Sequence, residues 1–278
     1  MTNATIGPRP KADFDIYPTR EEIGFFREHG YLVIDRITTD EEIAWLRRVF
    51  DHIFSPEQAG KAGSPIDRSG SDTKRAKKLT QSFFPEMQFP EILETAFRRN
   101  AKRYTAALLD LDESRITSWG HMIMKYPGGP AAQWHQDHAY WDPEFSYCAL
   151  GCWLPLQDTT PEMGAMQFIP GSHKRGLLKH RHEDDPIHNV LRVSDPFDES
   201  SAVACPLKAG GATFHHSETL HYTAPNTTDR ARAAFPMEFQ VMPVRREKPE
   251  HMPWVDERRA VTGPQPLMFA IDGKLVPA

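Results

Sequence analysis

Gln133-Trp134-His135-Gln136-Asp137-His138 is the stretch on which the reading of this chain turns. In an extended segment residues i and i+2 face the same way, so His135 and Asp137 present an imidazole and a carboxylate side by side. A histidine from a distant strand, with His221 well placed, then closes one face of an octahedron. Two histidines and one carboxylate arranged so hold non-haem Fe(II) and leave the opposite face open to ligands and O2. With 13 histidines in the chain a His-x-Asp pair is a common accident, so its weight comes from the surrounding sequence. His215 and His216 lie just before His221, and strand alternation alone leaves either as a rival third ligand.

Outward from that stretch the chain breaks into short β-type runs at 116–124, 147–156, 165–169, 202–207, 213–216 and 233–244. Pro127-Gly128-Gly129, Pro170-Gly171-Ser172 and Gly210-Gly211 supply the turns between them. Short strands punctuated in this way predict a sandwich or barrel. The first hundred residues read differently. Thr19-Arg20-Glu21-Glu22 is a capping box that opens a short helix ending near Gly30, and 31–34 reads as a buried strand. Thr39-Asp40-Glu41-Glu42 is a second capping box and opens a longer helix with Ile43, Leu46, Val49, Phe50 and Ile53 on one face. A third helix is expected over 91–111, with Leu93, Phe97, Tyr104 and Leu108 on its apolar side. Helices first and strands later predict a mainly β jelly-roll core with the helices packed on one sheet.

The parts outside these elements divide simply. Residues 1–18 read as a loose lead-in, 19–245 as the core and 246–278 as a Pro-rich C-terminal extension, all in one domain. The 55–80 segment is rich in Gly, Ser and Lys and poor in apolar residues, which predicts a lid that orders over a bound ligand.

Four blocks together resemble the phytanoyl-CoA dioxygenase family. One is the segment at 133–138. The second is Gly164-Ala165-Met166-Gln167-Phe168-Ile169-Pro170-Gly171-Ser172-His173-Lys174, and the third runs from Gly210-Gly211 through His221-Tyr222-Thr223-Ala224-Pro225-Asn226 to Arg230-Ala231-Arg232. The fourth is Phe26 to Ile34 followed by Asp40-Glu41-Glu42, so the likeness spans roughly 18–245 in the expected order. The family commonly has Gly-Asp where this chain has Gly210-Gly211, a change at a turn former.

The resemblance implies a double-stranded β-helix and an Fe(II)- and 2-oxoglutarate-dependent oxygenase that uses O2 and releases succinate and CO2. His135, Asp137 and His221 would be the metal ligands, the spacing to Asn226 and Arg232 favouring His221 over His215 and His216. Arg232, eleven residues past the distal histidine, would receive the far carboxylate of 2-oxoglutarate through its bidentate fork, and Thr223 would donate a hydroxyl to the same molecule. Trp153 and Met122 align with positions lining the cosubstrate pocket, and Lys78 or Gln81 matches an upstream side chain that reaches the cosubstrate in relatives. His138, Tyr140 and Trp141 follow the ligand pair directly and are candidates for a substrate wall, while His173 reads as a structural hydrogen-bonder. Halogenating relatives have a small residue at the carboxylate position, so Asp137 favours hydroxylation of a small organic substrate.

Composition sets bounds on this reading. A net charge of −5 with dispersed Lys and Arg argues against a nucleic-acid partner. Met1–Pro18 has no apolar core of a secretory signal and no run approaches a membrane span, which predicts a cytoplasmic protein; a monomer or homodimer is expected. Cys148, Cys152 and Cys205 lack metal-site spacing and read as core thiols in a reducing compartment. Two other functions fit a barrel with these ligands: a cupin-like metal enzyme of non-oxidative chemistry, and a catalytically silent small-molecule-binding barrel. Arg232 and Thr223 at cosubstrate spacing argue against the first, and an intact triad against the second.

Overall fold

The computed structural model describes residues 6–68, 78–183, 186, 190–263 and 267–278. Its helices are α1 (Arg20–His29), α2 (Asp40–Ile53), α3 (Pro85–Gln88), α4 (Ala96–Leu109) and α5 (Pro253–Thr262). The strands run β1 (Tyr31–Ile34), β2 (Ile66–Asp67), β3 (Leu79–Phe83), β4 (Thr117–Lys125), β5 (Ala132–His135), β6 (Phe145–Ser146), β7 (Ala149–Pro155), β8 (Met166–Phe168) and β9 (His180–His182). They continue as β10 (Leu191–Val193), β11 (Val203–Cys205), β12 (Ala212–His216), β13 (His221–Thr223), β14 (Arg232–Gln240), β15 (Val244–Arg245), β16 (Met268–Ile271) and β17 (Lys274–Pro277).

Two antiparallel sheets face each other across the site. The larger has the order β1-β12-β7-β14-β4-β3-β2 and the smaller β11-β8-β13-β5. This is the jelly roll that the sequence predicts. Alternation along β14 shows how the larger sheet serves two roles. Ala233, Phe235, Met237 and Phe239 pack with Leu46, Val49 and Phe50 of α2 and Phe97 and Ala101 of α4 in the main core. Arg232, Pro236 and Glu238 point the other way and line a cavity between the sheets. Both faces being covered, every residue of β14 is buried.

The helix starts follow their caps, with one departure. Thr19 and Glu22 form the reciprocal capping box, and Gly30, at φ 77°, closes α1 in the left-handed conformation. A side chain at Gly30 would meet the His173 ring and the Thr219 hydroxyl, so the position suits glycine alone. Thr39 caps α2, but Glu42 does not turn back to it. Its buried carboxylate instead accepts from the Thr38 hydroxyl and from the amides of Ala96 and Phe97, both at 2.9 Å. These amides are orphan donors of the first turn of α4, so one carboxylate ties α2 to α4. The helix expected over 91–111 is split: Pro90–Glu94 forms a 3-10 turn, and Thr95 accepts from Arg98 N to cap α4 afresh.

Other expectations are corrected. The described part of the lead-in, residues 6–18, is pinned rather than loose: Ile6 is buried, Trp45 Nε1 donates to Gly7 O at 3.2 Å, and Asp15 pairs with Arg99 at 2.8 Å. Cys148 is exposed just before β7 begins, whereas Cys152 and Cys205 are buried. Of the 55–80 segment, β2 and β3 extend the larger sheet, and 69–77, the centre of the expected lid, lie outside the described residues. The C-terminal extension folds as α5 and the β16–β17 hairpin, held to β4 by Asp272, which accepts from Ser118 N at 3.0 Å.

Candidate active site

Antiparallel pairing of β13 with β5 sets His221 directly opposite His135, and their rings lie 4.1 Å apart. Asp137 opens a 3-10 turn two residues beyond the end of β5. The residue between them fixes that geometry. Gln136 is fully buried, its amide donates to Gly176 O at 2.9 Å and Glu218 O at 2.6 Å, and its carbonyl accepts from Leu178 N at 2.7 Å. Its backbone N–H donates to His180 Nε2 at 3.1 Å. His135, Asp137 and His221 thereby offer one ligand atom each, all within 4.8 Å of one another.

The tautomers follow from the partners. Carbonyl oxygens only accept, so Nδ1 of His135 donates to Gln133 O at 2.5 Å and Nδ1 of His221 to Thr219 O at 3.0 Å. Each Nε2 then carries its lone pair toward the centre, as a metal ligand must. Burial, with the His221 charge, lowers the pKa of His135 to about 3. Burial also acts on His221, but the Asp137 carboxylate outweighs it and raises that pKa. Asp137 itself is held well below the ordinary carboxylate range, because His221 and His215 outweigh its desolvation.

His215 is not in the three-residue cluster. Its Nε2 lies 2.8 Å from Asp137 Oδ2 and orients the carboxylate, whose Oδ1 faces His221 Nε2 at 3.4 Å. Gly151 on β7 makes room: a Cβ there would sit 2.5 Å from His215 Nε2.

A cavity of about 590 Å³ opens from this cluster and is lined by Arg232, Thr223, Trp153, Tyr140 and Trp141 of the predicted residues. Arg232 is 2% exposed, its guanidinium lies 5.4 Å over the Trp153 ring, and its Nε and Nη1 have no hydrogen-bond partner among the described residues. Burial lowers its pKa to about 10. Thr223 Oγ1 accepts from Lys125 Nζ at 2.7 Å. Tyr140 stands edge-on to His135 at 5.5 Å, its hydroxyl accepting from Leu191 N at 3.1 Å.

Three predicted residues lie elsewhere. Met122 is fully buried in the main core, because the cavity face of β4 carries Trp119, His121, Ile123 and Lys125. Lys78 Nζ donates to Pro127 O at 2.8 Å, and it is Gln81 that lines the cavity. His138 turns away, with Nδ1 at 3.0 Å from Glu218 and Nε2 at 3.4 Å from Glu250. His173 is a structural hydrogen-bonder, its Nε2 lying 3.2 Å from Arg27 O. The sequence reading missed Lys125, which pairs in register with Arg232 and is buried beside it. Burial, and then the Arg232 charge, hold its pKa well below the usual lysine value.

The donor set suits Fe(II), and the Arg232–Lys125 pair suits a buried dicarboxylate. The phytanoyl-CoA dioxygenase (PhyH) family model matches residues 26–234. The chain belongs to the phytanoyl-CoA dioxygenase family. A phytanoyl-CoA dioxygenase of Arabidopsis thaliana is 26% identical over 249 residues, covering 78% of this chain and 87% of the relative. The "Probable alpha-ketoglutarate-dependent hypophosphite dioxygenase" of Stutzerimonas stutzeri is 33% identical over 213 residues, covering 72% and 71%. Among solved structures, EvdO2 from Micromonospora carbonacea var. aurantiaca, complexed with 2-oxoglutarate, superposes with a TM-score of 0.76 at 33% identity over 87% of this chain and 99% of its own. Like these family members, the protein is an Fe(II)- and 2-oxoglutarate-dependent dioxygenase, with a small-molecule substrate. Among the described residues no helix is long and apolar enough to cross a membrane.

Proposed function

We propose that the protein hydroxylates a small organic molecule, with His135, Asp137 and His221 holding the iron and Arg232 receiving the far carboxylate of 2-oxoglutarate. The observation that carries this reading is Arg232, a buried cation with two unpartnered donors in the same cavity as the His-Asp-His cluster. A guanidinium left so is costly unless a carboxylate arrives to take its donors. When bound, iron and 2-oxoglutarate supply the activation of O2, and succinate and CO2 leave with the oxidised product.

The chain's own residues bind, orient and shield. Arg232 and Lys125 fix one end of the cosubstrate, and Thr223, whose hydroxyl oxygen is engaged by Lys125, keeps its proton free to donate. His215 steadies Asp137, and the carbonyls of Gln133 and Thr219 hold both imidazoles in the ligating tautomer. Trp141, Tyr140, Phe83 and Trp119 wall the remaining cavity and exclude water from the oxidised carbon. A carboxylate at 137 occupies a metal position and favours hydroxylation over halogen transfer.

We place all of this in one domain, as a monomer or homodimer in the cytoplasm, where three free cysteines fit a reducing compartment. A substrate panel incubated with Fe(II), 2-oxoglutarate and O2 tests the activity. Succinate formed in step with a product that has gained one oxygen atom is expected. Succinate coupled to a product that has lost two hydrogens would replace hydroxylation by desaturation, and no 2-oxoglutarate consumption with any substrate would overturn the reading.

A further inference from the structure

Two polar side chains of the cavity have no task in holding metal or cosubstrate. Glu238 lies on the cavity face of β14, 6% exposed, with Oε2 buried and without a hydrogen bond among the described residues. His121 lines the cavity from β4, and its Nδ1 is likewise buried without a partner among the described residues. A buried polar atom left so costs stability, and a bound group that hydrogen-bonds to it recovers that cost.

The register of the larger sheet puts this pair beside the metal cluster. Glu238 stands opposite Trp119 on β4 and opposite Gly151 on β7. Gly151 brings no side chain, and a Cβ there would lie 3.4 Å from Asp137 Oδ2. One strand spacing, about 5 Å, thus separates Glu238 from the backbone position that borders Asp137. His121 is two residues from Trp119 on the same face, on the diagonal from Glu238, where cross-strand neighbours lie about 7–8 Å apart. Arg232 begins the same strand six residues earlier, about 20 Å of backbone away, so it and Glu238 serve different ends of the cavity.

What surrounds the gap between the two side chains selects the group that fills it. Burial lowers the pKa of His121 to about 4, so its ring is neutral and has one nitrogen to donate and one to accept. A cationic group would enter a cavity that already carries Lys125, Arg232 and Arg258, and an anionic group would face Glu238 and Asp137. A hydroxyl suits both partners, because it donates to a carboxyl oxygen and accepts from an imidazole N–H. Trp119, whose ring lies 5.7 Å from that of His121, offers an apolar surface to the carbon skeleton that bears the hydroxyl.

We infer that Glu238 and His121 form a hydroxyl-binding subsite, and that the substrate is an uncharged alcohol whose O–H donates to Glu238 and whose oxygen accepts from His121. Its carbon skeleton rests against Trp119, beside the metal cluster. This rests on the oxygenase reading, which gives the Arg232 end of the cavity to 2-oxoglutarate.

The test is made on protein loaded with Fe(II) and 2-oxoglutarate without O2, following tryptophan fluorescence, since Trp119 adjoins the subsite. The probes are cyclohexanol, its methyl ether, cyclohexylamine and cyclohexanecarboxylate, which share a ring and differ in the polar group. Cyclohexanol is expected to bind about tenfold more tightly than the ether, and more tightly than the amine or the carboxylate. Glu238→Met should bring the ratio of alcohol to ether close to one, whereas Glu238→Gln, whose amide still bonds a hydroxyl, should keep most of it. His121→Phe should lower the ratio by about three- to tenfold. A side chain that served the fold alone would leave this ratio unmoved. An alcohol that binds no better than the ether or not at all, or a ratio indifferent to both Glu238→Met and His121→Phe, would overturn the subsite. A preference for the amine or the carboxylate would overturn it as well, by assigning the cavity to a charged substrate. In each of these cases 2-oxoglutarate binding stands intact. Failure of the iron-loaded native protein to bind 2-oxoglutarate would bring down the oxygenase reading, and this inference with it.

Discussion

Arg232→Met exchanges a buried guanidinium for an apolar side chain of similar length, and the structure gives opposite signs for its two effects. Arg232 keeps Nε and Nη1 without partners among the described residues. If both serve the cosubstrate carboxylate, each charged hydrogen bond contributes about 1.5–3 kcal/mol. Their joint loss of about 3–6 kcal/mol weakens 2-oxoglutarate by about 150- to 20,000-fold. Stability without ligand moves the other way. The variant no longer buries an unpaired cation beside Lys125, a relief of about 1–4 kcal/mol. Against that it loses the contact over Trp153, which is 5.4 Å away and is a cation–π interaction of about 0.5–2 kcal/mol. The melting temperature should therefore hold or rise, by about 2–4 °C for each net kcal/mol. Calorimetric titration of 2-oxoglutarate into anaerobic Fe(II)-loaded protein, alongside thermal melts of the unliganded protein, reads both quantities. Arg230→Met is the control, because Arg230 is exposed. The reasoning fails if Arg232→Met binds 2-oxoglutarate like the native protein, or if Arg230→Met is the variant that loses it.

Two further outcomes follow from neighbouring groups. His215→Phe removes the 2.8 Å contact that orients Asp137 and should weaken Fe(II) by about 10- to 100-fold, measured by anaerobic metal titration; native affinity would show that Asp137 needs no such support. Glu86 is 1% exposed, and burial raises its pKa from 4.5 to about 7. An acid whose pKa rises on folding stabilises the fold below its unfolded pKa, and loses that contribution as pH climbs through the folded value. The Glu86 contribution to native stability should thus fall by about 3 kcal/mol between pH 4.5 and pH 7, and Glu86→Gln should lose that part of the slope and be the more stable protein at pH 8. Urea unfolding across that range checks it, with parallel pH profiles for the two proteins as the contrary result.

Much of this architecture was legible because it is local or periodic. The caps at Thr19 and Thr39, the left-handed Gly30 and the strand at Tyr31–Ile34 are written in a few adjacent residues. His135 and Asp137 share a face by strand geometry, and the turn and arginine spacings pick out His221. What failed was non-local. Glu42 has the sequence of a capping box, yet the amides it serves are more than fifty residues away. Met122, expected to line the cosubstrate pocket, lies on the core face of β4. Thr117, Trp119, His121, Ile123 and Lys125 alternate with Ser118, Gly120, Met122 and Met124, and either set can be buried when helices cover one side and a cavity the other. Lys125 carried a signal, since a lysine in phase with His121 on a buried strand needs a polar partner. So did α5: Pro253 at its first turn is a helix start, hidden by the proline content around it.

The central claim is that His135, Asp137 and His221 bind the iron, and the most direct measurement is Fe(II) bound per chain under anaerobic conditions for His221→Ala beside the native protein. Near-stoichiometric iron in the native chain, and almost none in a His221→Ala protein that still melts cooperatively near the native temperature, is the predicted result. A folded His221→Ala protein that holds iron as the native chain does would contradict the assignment and move the third ligand to His215.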